Sequence, residues 1–286
     1  MSSTKEIRVK IQSIKSTQKI TRAMEMVAAS KMRRAQERMY STRPYAERIR
    51  NVISHLLKGR LEYQHPYLIE RPIKKVGFLV ISTDRGLCGG LNTNLFKAVV
   101  PAMKQWHDKD IPIDMALMGG KAENFFKRLG ARVIACASSI KESTGMQELT
   151  GIIKVLLDAY KNEELDRIYI AYNDFFNTMT QKPHVELLLP VMSPEPMHAH
   201  LNWDYLYEPD AKSLLDTLLV RYLEALIYQA VLENNACEQA ARMVAMKNAS
   251  ENAADMIKDL QLTYNKLRQA SITRELAEIV AGASAV

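Results

Sequence analysis

Two glycine-bearing loops are the places in this chain where residue type and spacing could do chemistry. Asp84-Arg85-Gly86-Leu87-Cys88-Gly89-Gly90 follows an apolar run and precedes a helical stretch. That is where many α/β proteins hold a phosphate against the first turn of a helix. Gly119-Gly120-Lys121 occupies a similar place. Neither has the spacing that phosphate binding needs. The first is not G-x-G-x-x-G, the second is followed by Ala122 with no hydroxyl for Mg²⁺, and no G-x-x-x-x-G-K-[ST] occurs. Glycines that turn a strand into a helix are the simpler reading. His198-Ala199-His200 could ligate a metal, but it lies in a Pro-rich stretch without an evident third ligand and reads as solvated loop histidines. There is no G-x-S-x-G and no H-E-x-x-H. Cys88, Cys136 and Cys237 are far apart and lack metal-ligand spacing, as in a reducing compartment. No catalytic, cofactor-binding or metal-binding residue is assigned.

The elements that would position these loops are bracketed by two long segments. Residues 1–43 contain neither Gly nor Pro, and the same holds for residues 210–281. Ordinary helices run about 11 residues, so these stretches predict very long helices. In the first, Ile7, Ile11, Ile14, Gln18, Thr21, Glu25, Ala28, Met32, Ala35, Met39, Thr42, Ala46, Ile49, Ile53 and Leu56 alternate at gaps of four and three. That is the a/d seam of a coiled coil, apolar at both ends and polar at Gln18, Thr21 and Glu25. In the last segment Met243, Met246, Ser250, Ala253, Ile257, Leu260, Tyr264 and Leu267 keep the same rhythm. Ser3 to Glu6 fits a capping box, Asp210 is a good N-cap, and Gly282 is a plausible stop.

Between Arg60 and Pro209 short apolar runs alternate with helical stretches. Strands are predicted at Val76–Ile81, Ile113–Met118, Val133–Cys136, Arg167–Tyr172 and Val185–Leu189, and helices at Asn92–Trp106, Lys121–Leu129 and Met146–Tyr160. This alternation predicts a mostly parallel sheet covered by helices. The fold class is α/β: a long antiparallel coiled coil of the N- and C-terminal helices with an inserted Rossmann-like domain. The expected divisions are a helix over 1–57, an α/β domain over 58–209 and a helix over 210–286.

Two helices that enter and leave one domain pair antiparallel if they pair at all. The last is longer by about 20 residues, so it should overshoot the first by roughly 30 Å at 1.5 Å per residue. Its end, residues 279–286, carries no charged side chain. An apolar helix end standing alone in water is expected to sit inside a partner.

Charge is uneven along the chain. Residues 1–57 carry 13 Lys or Arg against 4 acidic residues, net +9; residues 58–209 balance at 18 and 18; residues 210–286 carry 8 and 10, net −2, giving the overall +7. Lys31, Arg33, Arg34 and Arg38 cluster on the first helix and point to an acidic partner. The first ten residues carry four charges with no apolar stretch after them, so no secretion signal is expected, and no apolar run is long enough to span a membrane. Two other readings remain open on these residues: a basic coiled-coil arm for nucleic acid, and an α/β enzyme using the Asp84–Gly90 loop for a nucleotide. Neither accounts for the overshooting helix.

Three sets of residues carry a resemblance. Ile7 to Gln36, with Thr17-Gln18-Lys19-Ile20-Thr21 and Met24 to Met32, resembles the opening helix of the gamma subunit of F-type ATP synthases. Asp84 to Asn92 resembles its central loop, and Ile272-Thr273-Arg274-Glu275 with Glu278 and Gly282-Ala283 resembles its C-terminal signature. Trp203 to Pro209 is similar to the proteobacterial branch; Arg274, where relatives often have Gln, is a minor departure. The resemblance implies a rotor shaft with no catalytic site of its own, turning inside three alpha and three beta subunits and coupled to proton flow through a ring of c subunits. It implies contacts with the alpha/beta ring at Met24, Lys31, Arg33, Arg34, Cys88, Arg242, Arg268, Gln269, Thr273 and Glu275. It implies contacts with the c-ring and the epsilon subunit at Tyr205, Tyr207 and Glu208. No cofactor and no nucleic acid are implied. The membrane is reached only through the c-ring, at the cytoplasmic face of a bacterial inner membrane.

Overall fold

A computed structural model describes residues 4–58, 65–138, 145–192 and 211–283. Helix α1 spans Thr4–Lys58 and helix α5 spans Ala211–Ala283. Between them lie strands β1 (Val76–Ile81), β2 (Ile113–Met118), β3 (Arg132–Ala137), β4 (Arg167–Phe175) and β5 (Gln181–Leu189), with helices α2 (Leu91–His107), α3 (Gly120–Arg128) and α4 (Met146–Lys161). The chain divides into two compact units, Met1–Ala29 with Arg242–Val286 and Ser30–Ala241.

In the first unit the a/d seam is where burial occurs. Ile7, Thr21 and Ala28 are buried on α1, and Met246, Ala253 and Ile257 on α5. The remaining seam positions, Ile11, Ile14, Gln18, Glu25, Met243, Ser250, Leu260, Tyr264 and Leu267, are all half-buried. Two of the polar groups at the middle of the seam are bonded within the chain. Gln18 Nε2 donates to the Ser250 carbonyl at 3.5 Å, and Thr21 Oγ1 donates to the Gln18 carbonyl at 3.0 Å. A seam side chain that crosses to the facing backbone tolerates polarity because its hydrogen bond replaces the one lost to water.

The second unit is built on a five-stranded sheet of order β3-β2-β1-β4-β5. The β1–β2, β1–β4 and β2–β3 pairs are parallel and β4–β5 is antiparallel. Strand β1 is apolar throughout because both its faces are covered. Phe78 and Val80 pack with Leu95, Val99 and Phe126 of α2 and α3. Leu79 and Ile81 pack on the other face with Leu149, Ile153 and Leu156 of α4, and with Ile49 and Ile53 of α1 and Leu219 and Leu223 of α5. The seam of α1 thus continues at Met39, Ile49 and Ile53 as part of the core of this unit.

Strands β4 and β5 are longer than the sequence predicts. The extra residues form a hairpin whose β5 arm reads Gln181-Lys182-Pro183-His184. Pro183 and the polar neighbours argue against a central strand, but β5 is an edge, where a missing N–H costs nothing. Asn177 Oδ1 accepts from the Met179 and Thr180 amides at 2.9 and 2.7 Å and closes the turn.

His65 ties the approach to β1 onto α5. It is buried; its Nδ1 accepts from the Tyr67 amide at 3.1 Å, capping a short 3₁₀ turn, and its Nε2 lies 3.0 Å from Asp216 Oδ1. An acceptor at Nδ1 and a donor at Nε2 define the neutral ring. Burial holds its pKa below the usual 6.5, with Asp216 opposing and Lys161 assisting. The unfolded chain therefore binds this proton more readily than the folded one. The contribution is present above about pH 6.5 and is lost as the pH falls through the folded value. Urea unfolding should show the wild-type chain losing more stability between about pH 7 and about pH 5 than His65→Gln does; equal slopes would assign the pH response to other groups.

Candidate partner-contact surface

The loop after β1 is held by its own side chains. Asp84 Oδ1 accepts from the Gly120 amide at 2.9 Å, and Ser82 Oγ accepts from the Ala122 amide at 2.9 Å. The Lys121 amide donates to the Thr83 carbonyl at 3.0 Å. These are the first amides of α3, the groups a phosphate would otherwise use. A carboxylate and a hydroxyl from the chain already satisfy them. Gly119 has φ +94, and a Cβ there would run into the Ser82 carbonyl, so the glycine is required by close backbone approach.

Within the same loop Cys88 is buried, and its sulfur takes a hydrogen bond from Asn92 Nδ2 at 3.4 Å. Asn92 Nδ2 also donates to Thr83 Oγ1 at 2.8 Å, so the thiol belongs to a small polar knot beneath the loop. Leu87 is turned to solvent, 60% exposed at φ +65. A non-glycine residue in that conformation is uncommon, and it brings a large apolar group to the surface. Sequence reasoning picked Cys88 by resemblance and passed over Leu87, because no spacing rule marks a left-handed leucine.

Of the other expected contact residues, Met24 and Arg242 are half-buried on α1 and α5, and Lys31 is half-buried on α1. Arg33, Arg34 and Arg38 are exposed, as are Arg268, Gln269, Thr273 and Glu275. Every described residue of α5 from Arg268 to Ala281 whose side chain is described is exposed. That stretch is about 20 Å of helix at 1.5 Å per residue. On it Ile272, Leu276, Ile279 and Val280 form one apolar stripe at 45–67% exposure. The polar groups between them are satisfied on the helix itself: Thr273 Oγ1 donates to the Gln269 carbonyl at 2.9 Å, Ser271 Oγ to Glu275 at 3.3 Å, and Arg274 Nε meets Glu278 at 3.1 Å. Tyr205, Tyr207 and Glu208 lie outside the described residues, as do His198, His200, Asp210 and residues 284–286.

The sequence also gave no sign of the polar clamp between β4 and α5. Asn173 Nδ2 donates to Asn234 Oδ1 at 2.9 Å, both residues being about 1% exposed, and the Cys237 thiol donates to the Asn173 carbonyl at 3.3 Å. Burial pushes the Cys237 thiol well above its usual range and raises Glu233 nearby. Among the described residues no group of three or more His, Cys, Asp or Glu is placed to hold a metal.

A family model described as ATP synthase matches residues 3–286. The chain is 57% identical over 289 residues to the ATP synthase gamma chain of Nitrosococcus oceani, with 100% of each covered. It is 58% identical over 291 residues to that of Pasteurella multocida, again with 100% of each covered. Among solved structures, the rotor of Euglena gracilis mitochondrial ATP synthase in rotational state 1 superposes with a TM-score of 0.65 at 21% identity, covering 94% of this chain and 98% of that one. The central stalk and c-ring of Tetrahymena thermophila mitochondrial ATP synthase gives 0.59 at 23% identity, covering 81% and 99%. At such identities the structural likeness establishes the fold. The chain belongs to the ATP synthase gamma chain family.

The close approach at Gly119 makes a direct expectation. Gly119→Ala should cost about 2–5 kcal/mol, combining backbone strain with overlap against a carbonyl that cannot move. Gly130→Ala, at φ +78 with nothing within 4 Å, carries the strain alone and should cost about 1 kcal/mol. Chemical denaturation of the two variants checks the ordering; equal costs would remove the close-approach argument.

Proposed function

We propose that this chain is the central rotor shaft of an F-type ATP synthase, a non-catalytic subunit that links ion flow through a membrane ring of c subunits to the catalytic states of three beta subunits. Full-length identity with gamma chains supports this most directly. The exposed end of α5 supports it independently. An apolar stripe between self-satisfied polar groups can turn against a smooth sleeve without forming directional bonds. Each 1.4 kcal/mol of added barrier would slow a rotational step about tenfold, so a bearing surface should avoid such bonds.

Contacts with the alpha/beta ring are assigned in this reading to Met24, Lys31, Arg33, Arg34, Cys88, Arg242, Arg268, Gln269, Thr273 and Glu275. The exposed guanidinium groups of Arg33 and Arg34 suit acidic loops on the ring. The burial of Cys88 means that its loop would make contact through neighbours such as Leu87. Tyr205, Tyr207 and Glu208 are assigned to the c-ring and the epsilon subunit. No described helix is long and apolar enough to cross a membrane. In this reading the chain belongs to the peripheral sector, at the cytoplasmic face of a bacterial inner membrane, and touches the membrane only through the c-ring.

C-terminal truncations of the chain in the assembled enzyme test this reading. Removing Ala283–Val286 should leave substantial ATPase activity and rotation, with some loss of assembly stability. Deletion back through Gln269 also removes Thr273, Glu275 and the apolar stripe, and should lower ATP-driven proton pumping at least tenfold. Collapse of activity on removing Ala283–Val286 alone would show that the end grips its sleeve.

A further inference from the structure

A cleft of about 660 Å³ opens between α2, α3 and the Asp84–Gly90 loop. Its walls include Leu87, Phe96, Val100 and Phe125, and its charged lining residues are Lys97 and Lys121. Two of these side chains are placed against their own interest. Leu87 is held at a positive φ and 60% exposed, and Phe125 is 40% exposed although it stacks on Phe96 at 4.6 Å. A strained backbone that presents an apolar side chain beside an exposed aromatic is a feature of surfaces that gain by being covered.

Charge narrows what could cover them. Lys97 and Lys121 reach the cleft from different helices, α2 and α3. The Lys121 ammonium lies 3.6 Å from where a side chain on Gly86 would begin, which sets it against the loop that forms one wall. The first amides of α3 are taken by Asp84, Thr83 and Ser82, so α3 offers an anion here the Lys121 ammonium rather than its backbone, and α2 adds Lys97. The volume falls within the roughly 300–1,000 Å³ of small-molecule sites, which are mostly apolar with a few polar groups that orient the ligand.

We propose that this cleft binds a small amphipathic carboxylate, with an acyl or aryl chain on Leu87, Phe96 and Phe125 and its carboxylate between Lys97 and Lys121. This goes beyond the rotor reading; Leu87, given above to the ring, is shared by the two, so the cleft is probed on the chain outside the assembly. The two lysines act as point charges that select anionic over neutral or cationic amphiphiles. The aromatic pair supplies the area that holds the chain.

Calorimetric titration of the full chain with decanoate, decanol and decyltrimethylammonium tests the assignment. Decanoate should bind at one site, and at least tenfold more tightly than the other two. Lys97→Glu with Lys121→Glu should weaken decanoate at least tenfold. Lys154→Glu on α4, away from the cleft, should leave it within twofold. Thr93→Trp should fill the cleft and abolish binding without changing charge. Unfolding midpoints confirm that each variant is folded, and Lys97→Gln with Lys121→Gln replaces the reversal pair if that fails to fold. Undetectable decanoate binding, equal binding of the cationic amphiphile, or unchanged affinity in both the lysine pair and Thr93→Trp would overturn the proposal. So would an acidic Leu- and Glu-bearing peptide that displaces decanoate at lower concentration, which would give the cleft to a protein partner.

Discussion

The pairing of α1 with α5 is the constraint on which the rest depends. Neither helix could persist alone at 55 and 73 residues with an apolar seam facing water. Pairing occurs in both units. In one, Gln18 reaches the Ser250 carbonyl; in the other, Thr42 Oγ1 lies 2.9 Å from Gln229 Oε1. The same seam that closes one unit supplies Ile49 and Ile53 to the core of the other.

At the start of α3 the chain's own side chains take the place an anion would use. The amide groups at the start of α3 remain electropositive whatever the sequence. Asp84 and Ser82 occupy two of them. Removing the donors from circulation is a stronger bar to phosphate than an imperfect glycine spacing, because a phosphate would have to displace a carboxylate tethered in place. The same bonds leave the neighbouring cleft apolar, with charge only at its lysines.

Much of the architecture was legible because it rests on periodicity. The four-three rhythm from Ile7 to Ile53 and from Met243 to Leu267 marks positions that are all buried or half-buried. Strands β1, β2 and β3 were legible as apolar runs of the right length. The first halves of β5 and the end of β4 were not, since an edge strand may carry Pro183 and polar residues and still pair. The Asn173–Asn234 bond and the His65–Asp216 pair join residues 61 and 151 positions apart, and no local pattern reports such contacts. The proposed contact residues were chosen mainly through resemblance. Composition shows that the Arg33–Arg38 stretch is basic and that the last residues are apolar; it does not show that Cys88 turns inward while Leu87 turns out.

Within the unit of residues 1–29 and 242–286, α1 and α5 stay paired as the shaft turns. Cross-linking the two helices at the seam tests this most directly. In a cysteine-free background, Gln18→Cys and Ser250→Cys would be joined by a short bis-methanethiosulfonate linker, which forms a reducible disulfide at each cysteine, in the assembled enzyme, and ATP-driven rotation would be followed on single molecules before and after reduction. The account predicts the same rotation rate and dwell pattern in both states, since the link joins residues already in contact. A reversible arrest on cross-linking would show that the helices must slide or unwind against each other, and would contradict it.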